Sequence, residues 1–159
     1  MIMKSEAEML STMAAYCSQA ERCVYDVRKK IKNSGLPDDV EKRIIARLIE
    51  EKFIDEKRFS RSFVNDKFKF NKWGRVKICY ELRKREIKPE IYYDAIYAID
   101  EEEYIDVLTD LMKTKKRTVK GNSKHDLFQK LCRFASSRGF EPELIVKVLK
   151  SMLKGIESD

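Results

Sequence analysis

An all-α fold of about nine helices, arranged as three tandem three-helix repeats in an elongated, curved array, is what this sequence predicts. Three observations predict it. Five Gly and three Pro in 159 residues are too few for a sandwich or barrel full of tight turns, the abundant Glu, Lys, Leu, Ile and Arg favour helix, and one apolar spacing occurs three times along the chain.

The recurring spacing is carried by GLPDDVEKRIIARL from Gly35, EIKPEIYYDAIYAI from Glu86 and GFEPELIVKVLKSM from Gly139. Counted from Leu36, Ile87 and Phe140, apolar residues return at Val40, Ile91 and Leu144, then at Ile45, Ile96 and Leu149, then at Leu48, Ile99 and Met152. Those offsets trace one helix face. Each segment carries a proline in its opening residues, at Pro37, Pro89 or Pro142, where the missing N–H costs nothing. A second helix precedes each copy, marked by Val27 and Ile31, Ile78 and Leu82, and Leu131 and Ala135. The start positions lie 51 and then 53 residues apart, too long a period for a 34-residue helix pair and suited to three helices.

The remaining helix of the unit is seen where FIDEKRFSRSF, from Phe53, parallels AIDEEEYIDVL, from Ala98. Asp55 and Asp100 read as N-caps followed by acids that favour the helix dipole, while Phe59 and Tyr104, then Phe63 and Leu108, form the buried stripe. Residues 5–17 give a weaker first copy through Met9, Leu10 and Met13. The expected repeats are 1–52, 53–99 and 100–159. The third has about eight additional residues, expected as a polar, basic loop over 114–124.

Charge falls in blocks. Residues 67–88 hold 9 Lys and Arg against 2 acids, 89–112 hold 8 acids and no base, and 113–138 hold 9 bases against 1 acid. Such clustering favours an electrostatically steered partner, nucleic acid or nucleoprotein. The stretch DKFKFNKWGR, residues 66–75, raises a sharper question, because its alternating bases and aromatics fit either a stacking platform or a scaffold. Phe59, Phe63 and Phe70 fall on one helical stripe with Val64 and Phe68 beside it, so most of them are expected in the core as scaffold and the lysines outside.

Enzymatic chemistry finds no support. No G-x-x-x-x-G-K-[ST] or G-x-G-x-x-G occurs, KGNSK at 120–124 lacks the spacing, and His125 has no companion nucleophile and is expected at the surface of a helix start. Cys17, Cys23, Cys79 and Cys132 form no CxxC, so free thiols are expected, with Cys79 and Cys132 buried, and no metal or cofactor. The N-terminal MIMKSEAEML has no signal-peptide apolar run and no window reaches a membrane span, which gives a cytoplasmic expectation.

FIDEKRFSRSFVNDKFKFNKWGRVKICYELRKREI resembles the central motif of the RecX family, in which an Asp, an Arg and an aromatic open one helix and a Gly precedes a helix ending in E-L-R-x-K. ERCVYDVRKKI is similar to that family's first-unit motif and LCRFASSRGF to its third. Departures are Cys23 for Ser, Ser60 for Ala, and Glu86 where the family usually has the Gly seen here at Gly35 and Gly139. A left-handed Glu86 would carry strain on the order of 1 kcal/mol.

The resemblance implies a small, monomeric, non-enzymatic regulator of the RecA recombinase, one that binds the RecA filament on single-stranded DNA and damps its ATPase, strand-exchange and coprotease activities. A basic face would follow the filament and the DNA phosphates. The expected contact surface is Lys67, Lys69, Lys72, Arg75, Lys77, Arg83, Lys84, Arg85 and Lys88, seconded by Lys113, Lys115, Lys116, Arg117, Lys120 and Lys124. Arg58 is expected to pair internally with Asp55 or a neighbouring carboxylate. The alternative is a stand-alone basic helical module that binds nucleic acid.

Overall fold

The structure, a computed structural model, describes residues 4–154, and among these it contains nine helices and no strand. They are α1 Glu6–Gln19, α2 Val24–Lys32, α3 Asp38–Glu50, α4 Glu56–Lys69, α5 Arg75–Lys84, α6 Pro89–Tyr97, α7 Glu101–Lys116, α8 Lys124–Ser137 and α9 Pro142–Met152. The all-α, three-helix repeat architecture expected from the spacing is the one observed. No helix is long and apolar enough to cross a membrane among the described residues.

Helix starts follow local capping chemistry. Ser5 and Glu8 exchange side-chain and backbone hydrogen bonds in a capping box at α1. Asp55 accepts the Arg58 N–H at α4 (3.0 Å), Asp100 the Glu103 N–H at α7 (2.9 Å) and Ser123 the Asp126 N–H at α8 (3.1 Å). Pro142 opens α9 and Pro89 opens α6, whereas Pro37 is itself the N-cap of α3, one position earlier than a first-turn proline.

Helix ends are less conventional. The second helix of each repeat stops at a left-handed residue, Gly35 (φ 79°), Glu86 (φ 59°) or Gly139 (φ 92°). At Glu86 the N–H bonds back to the Arg83 carbonyl and the next N–H, of Ile87, to Leu82; Gly139 and Phe140 repeat this on Ser136 and Ala135. This is the Schellman closure, and the apolar residue after it, Ile87 or Phe140, drops into the core. Lys52 (φ 64°) closes α3 in the same way, without the glycine that would relieve it. The expected strain at Glu86 is therefore present. Glu86→Gly should raise stability by about 0.5–1 kcal/mol in urea unfolding, because relief of the left-handed strain outweighs the exposed Arg28–Glu86 pair at 3.4 Å. Equal or lower stability of the variant would contradict the strain.

The chain divides into two compact units, Met1–Phe63 with Leu82–Asp94, and Val64–Glu81 with Ala95–Asp159. The first unit is built on a cluster of Met9, Met13, Cys17, Val27, Ile31, Ile44, Ile45, Leu48 and Ile54. Met9 and Met13, the weakest of the sequence repeats, are fully part of it. In the second unit Phe68 stacks on Tyr104 with centroids 5.7 Å apart, Tyr104 meets Phe140 at 5.1 Å, and Ile78, Leu108, Met112, Leu131, Ile145 and Leu149 are buried with them. Aromatic pairs at these separations, one stacked (26° between planes) and one tilted (47°), add to what burial alone contributes.

The additional residues of the third repeat are mostly helix, not the expected loop. Relative to α4 and α5, α7 is longer (16 against 14 residues) and α8 longer still (14 against 10). The connection itself grows only from residues 70–74 to residues 117–123.

Candidate functional site

The turn joining α4 to α5 answers the question posed by DKFKFNKWGR by dividing it. Phe68 is scaffold, buried against Tyr104. Phe70 is not: 79% of its surface is exposed, the most of any large apolar side chain among the described residues, which takes it out of the expected core stripe. The reason is register. Along the second half of α4 the buried line runs through Ser60, Val64 and Phe68 in i, i+4 steps, and position 70, just past the helix's last residue, falls about half a turn from it. Trp73 is half-buried, and its ring is flanked by two ammonium groups, Lys67 Nζ at 4.9 Å and Lys77 Nζ at 4.5 Å from the centroid. Between them Lys72 adopts φ 57° and, with Lys69, is exposed.

The start of α5 has no side-chain cap, and the fold supplies one from elsewhere in the same unit. Gly74 N–H donates to the Arg138 carbonyl (2.8 Å), Arg75 N–H to the Tyr104 hydroxyl (2.8 Å) and Val76 N–H to the Gly139 carbonyl (2.9 Å). Three donors that a helix start leaves unsatisfied are thereby paired. Arg75 belongs to this junction and is not part of the outward basic surface on which the sequence placed it. Its side chain is 12% exposed, its Nη1 lies 3.1 Å from Glu141, its Nη2 lies 2.8 Å from Glu101, and its guanidinium covers the Tyr104 ring at 3.9 Å. Burial opposes its charge, but hydrogen bonds to Glu101 and Glu141 hold its pKa above the ordinary arginine value. The Tyr104 hydroxyl donates to Glu141, and burial followed by that bond pushes its pKa far up, so it stays a donor.

The other basic residues occupy several stations. Arg83 and Lys84 are exposed in the last turn of α5, Lys88 is exposed before α6, and Arg85 lays its guanidinium 4.9 Å from the Phe63 centroid. Lys113 is exposed and Lys116 half-buried at the end of α7, Lys115 holds its ammonium 5.2 Å from the Phe134 centroid, and Arg117 caps the helix. Lys120 is exposed in the following loop, and Lys124 is half-buried at the start of α8.

Arg58 does pair internally, chiefly with Glu21 (2.7 Å), a partner sequence proximity could not reveal; Asp55, at 4.0 Å, is occupied as the cap. His125 is exposed in the first turn of α8. Cys17 and Cys23 are buried and burial pushes Cys23 up to about 12, which keeps it a thiol. Cys79 and Cys132, expected buried, are only half-buried, since they stand one residue after the core positions Ile78 and Leu131. Among the described residues no cluster of three or more His, Cys, Asp or Glu is placed to hold a metal ion. Sequence reasoning missed Val76 and Tyr80, which are about half exposed on α5 one turn apart.

Residues 55–96 match the family model described as RecX, second three-helix domain, and residues 101–149 match that described as RecX, third three-helix domain. The chain is 27% identical to "Regulatory protein RecX" of Lactobacillus johnsonii, over 99% of this chain and 59% of that one. It is 31% identical to the protein of the same name from Clostridium tetani, over 85% of this chain and 61% of that one. The chain therefore spans about 60% of the length of these relatives. A relative from Prosthecochloris aestuarii, also "Regulatory protein RecX", matches at 26% identity over 91% of this chain and 93% of its own. Among solved structures, RecX from Lactobacillus salivarius superposes with a TM-score of 0.81 at 19% identity, over 92% of this chain and 95% of that one. A further crystal structure of regulatory protein RecX gives 0.82 at 22% identity, over 94% of this chain and 71% of that one. The matched domains run in order from the Asp55 cap through the Gly74 junction to Leu149 in α9, and the same helical architecture is found in both crystal structures: the chain belongs to the RecX family.

Proposed function

We propose that this chain is a non-enzymatic regulator of the RecA recombinase that binds the RecA filament on single-stranded DNA and lowers its ATPase, strand-exchange and coprotease activities. Family membership and the name shared by its curated relatives support a regulatory role. The observation that carries the contact surface is the basic turn after α4, where Lys67 and Lys77 flank the Trp73 ring and Lys69 and Lys72 are exposed, in a stretch without an acid between Asp66 and Glu81. Arg83, Lys84, Arg85 and Lys88 extend the basic run along the sequence, and Lys113, Lys115, Lys116, Arg117, Lys120 and Lys124 form the secondary contact. Arg75 is left out of the surface because its charge is met by Glu101 and Glu141. The chain acts as a monomer in the cytoplasm, built from the repeats 1–52, 53–99 and 100–159.

The test is RecA ATPase on single-stranded DNA. The natural chain should inhibit it, and the quadruple variant Lys67→Glu, Lys69→Glu, Lys72→Glu, Lys77→Glu should need at least about tenfold more protein for the same inhibition, each lost phosphate or carboxylate contact being worth a few tenths to 1 kcal/mol. A circular-dichroism melt of the variant verifies that it folds. Full inhibition by the folded, charge-reversed chain would remove this turn from the contact; no inhibition by the natural chain would remove the regulatory reading.

A further inference from the structure

We propose that Phe70 is a base-stacking residue: its exposed ring takes the face of an unpaired nucleobase while Lys69 and Lys72 hold the flanking phosphates of a single strand. The inference rests on the reading of the α4–α5 turn as a basic contact surface, and goes further by assigning a direct nucleic-acid contact to one side chain.

A single exposed apolar residue is ordinary on a protein surface. Phe70 differs in its setting. It follows the end of α4, its N–H still bonded to the Asp66 carbonyl, so its backbone is held by the helix while its ring stands 79% exposed. A ring on a fixed backbone loses little freedom when a base settles on it. The charges around it are of one sign, since no acid occurs between Asp66 and Glu81. Exposed Lys69 precedes it and exposed Lys72 follows it. Three residues on, Trp73 has Lys67 and Lys77 ammonium groups near its ring. A sequence-tolerant single-strand site needs this pairing of ring faces with point cations, because every base offers a π face and every linkage a phosphate.

The occupant is better a strand than an acidic peptide. Arginine forks, the groups suited to bidentate carboxylate recognition, are not presented by this turn: its one arginine, Arg75, is spent on Glu101 and Glu141. The lysines that remain are point charges, which suit phosphates on a flexible backbone.

The test is titration of the 159-residue chain with a fluorescently labelled oligothymidine and with an abasic strand of the same length, followed by anisotropy and by emission from Trp73, its single tryptophan. Phe70→Ala should weaken oligothymidine binding roughly 5- to 100-fold, the loss expected for one stacked base. It should leave abasic-strand binding and the salt slope unchanged; Phe70→Tyr should retain affinity and Phe70→Leu should not. Lys69→Ala with Lys72→Ala should weaken both strands and flatten the salt slope. Unchanged oligothymidine affinity for Phe70→Ala, an equal loss on the abasic strand, or full affinity with Phe70→Leu overturns the proposal, as does failure of the natural chain to bind either strand. Loss of RecA inhibition by Phe70→Ala with strand binding intact would assign the ring to a protein contact and overturn it too. A chain that binds the strand through Phe70 yet leaves RecA ATPase untouched would defeat the regulatory function alone.

Discussion

Gly74→Ala should lower the stability of this chain by on the order of 3 kcal/mol, and its thermal midpoint by roughly 10 °C, in a circular-dichroism melt. An alanine at the first residue outside a helix is ordinarily a mild change, so the size of the effect must come from tertiary packing. A Cβ on residue 74 would lie 2.4 Å from the Gly139 carbonyl oxygen and 2.6 Å from the Phe140 nitrogen, both backbone atoms that cannot rotate away. Relief requires the two backbones to separate. Separation stretches the bonds from Gly74 to Arg138 and from Val76 to Gly139, and so strips α5 of donors' partners it has no side chain to replace. Gly139 is constrained from the other side, since its φ is 92° and a Cβ there would meet Lys77 Cβ at 2.2 Å. Gly139→Ala should therefore be at least as costly. As a contrast, Gly121→Ala, whose Cβ would meet Leu127 at 3.0–3.1 Å, should cost distinctly less. A Gly74→Ala protein that melts within a degree or two of the natural chain would show that this backbone contact contributes little.

The same junction shows what the sequence made legible and what it did not. Periodicity located every helix because a helix face is a local property: Ile45, Ile96 and Leu149 are all buried, as their common offset requires. Caps were equally local, so Asp55 and Asp100 could be assigned from the residues beside them. Even the strain at Glu86 was readable, because the residue stands where two sister copies carry glycine. Arg75 could not be read in this way. Its carboxylate partners lie 26 and 66 residues further on, and nothing in the local pattern distinguishes a guanidinium turned toward Glu141 from a lysine beside it turned to solvent. Phe70 failed for a subtler reason, since stripes drawn at 3.6 residues per turn are broad, and an aromatic half a turn off the true buried line looks as eligible as Phe68. The one signal that favoured exposure was its basic surroundings.

Glu141→Ala should destabilise the chain by about 3 kcal/mol, whereas Glu101→Ala, which removes a shorter ion pair with the same arginine, should cost less than about 1 kcal/mol. The two carboxylates differ in where they sit. Glu101 is 63% exposed, and water can replace it at Arg75 Nη2. Glu141 receives both the guanidinium at 3.1 Å and the Tyr104 hydroxyl, inside a unit where Tyr104 is wholly buried. Its loss leaves a guanidinium only 12% exposed with the surface carboxylate of Glu101 and a long bond to the Ile96 carbonyl (3.5 Å), and a buried hydroxyl without an acceptor. Tyr104→Phe isolates the second part: the Arg75 N–H loses its acceptor while the ring stacking on Phe68 and Phe140 is kept, so a cost of about 1–2 kcal/mol is expected. If the hydroxyl and the ion pair act as one network, the double variant Glu141→Ala, Tyr104→Phe should lose less than the sum of the single variants, because the orphaned hydroxyl has gone. Urea unfolding of the natural chain and the four variants measures all of these. Equal losses for Glu101→Ala and Glu141→Ala would mean that water reaches both carboxylates alike, and the inward role given to Arg75 would have to be surrendered.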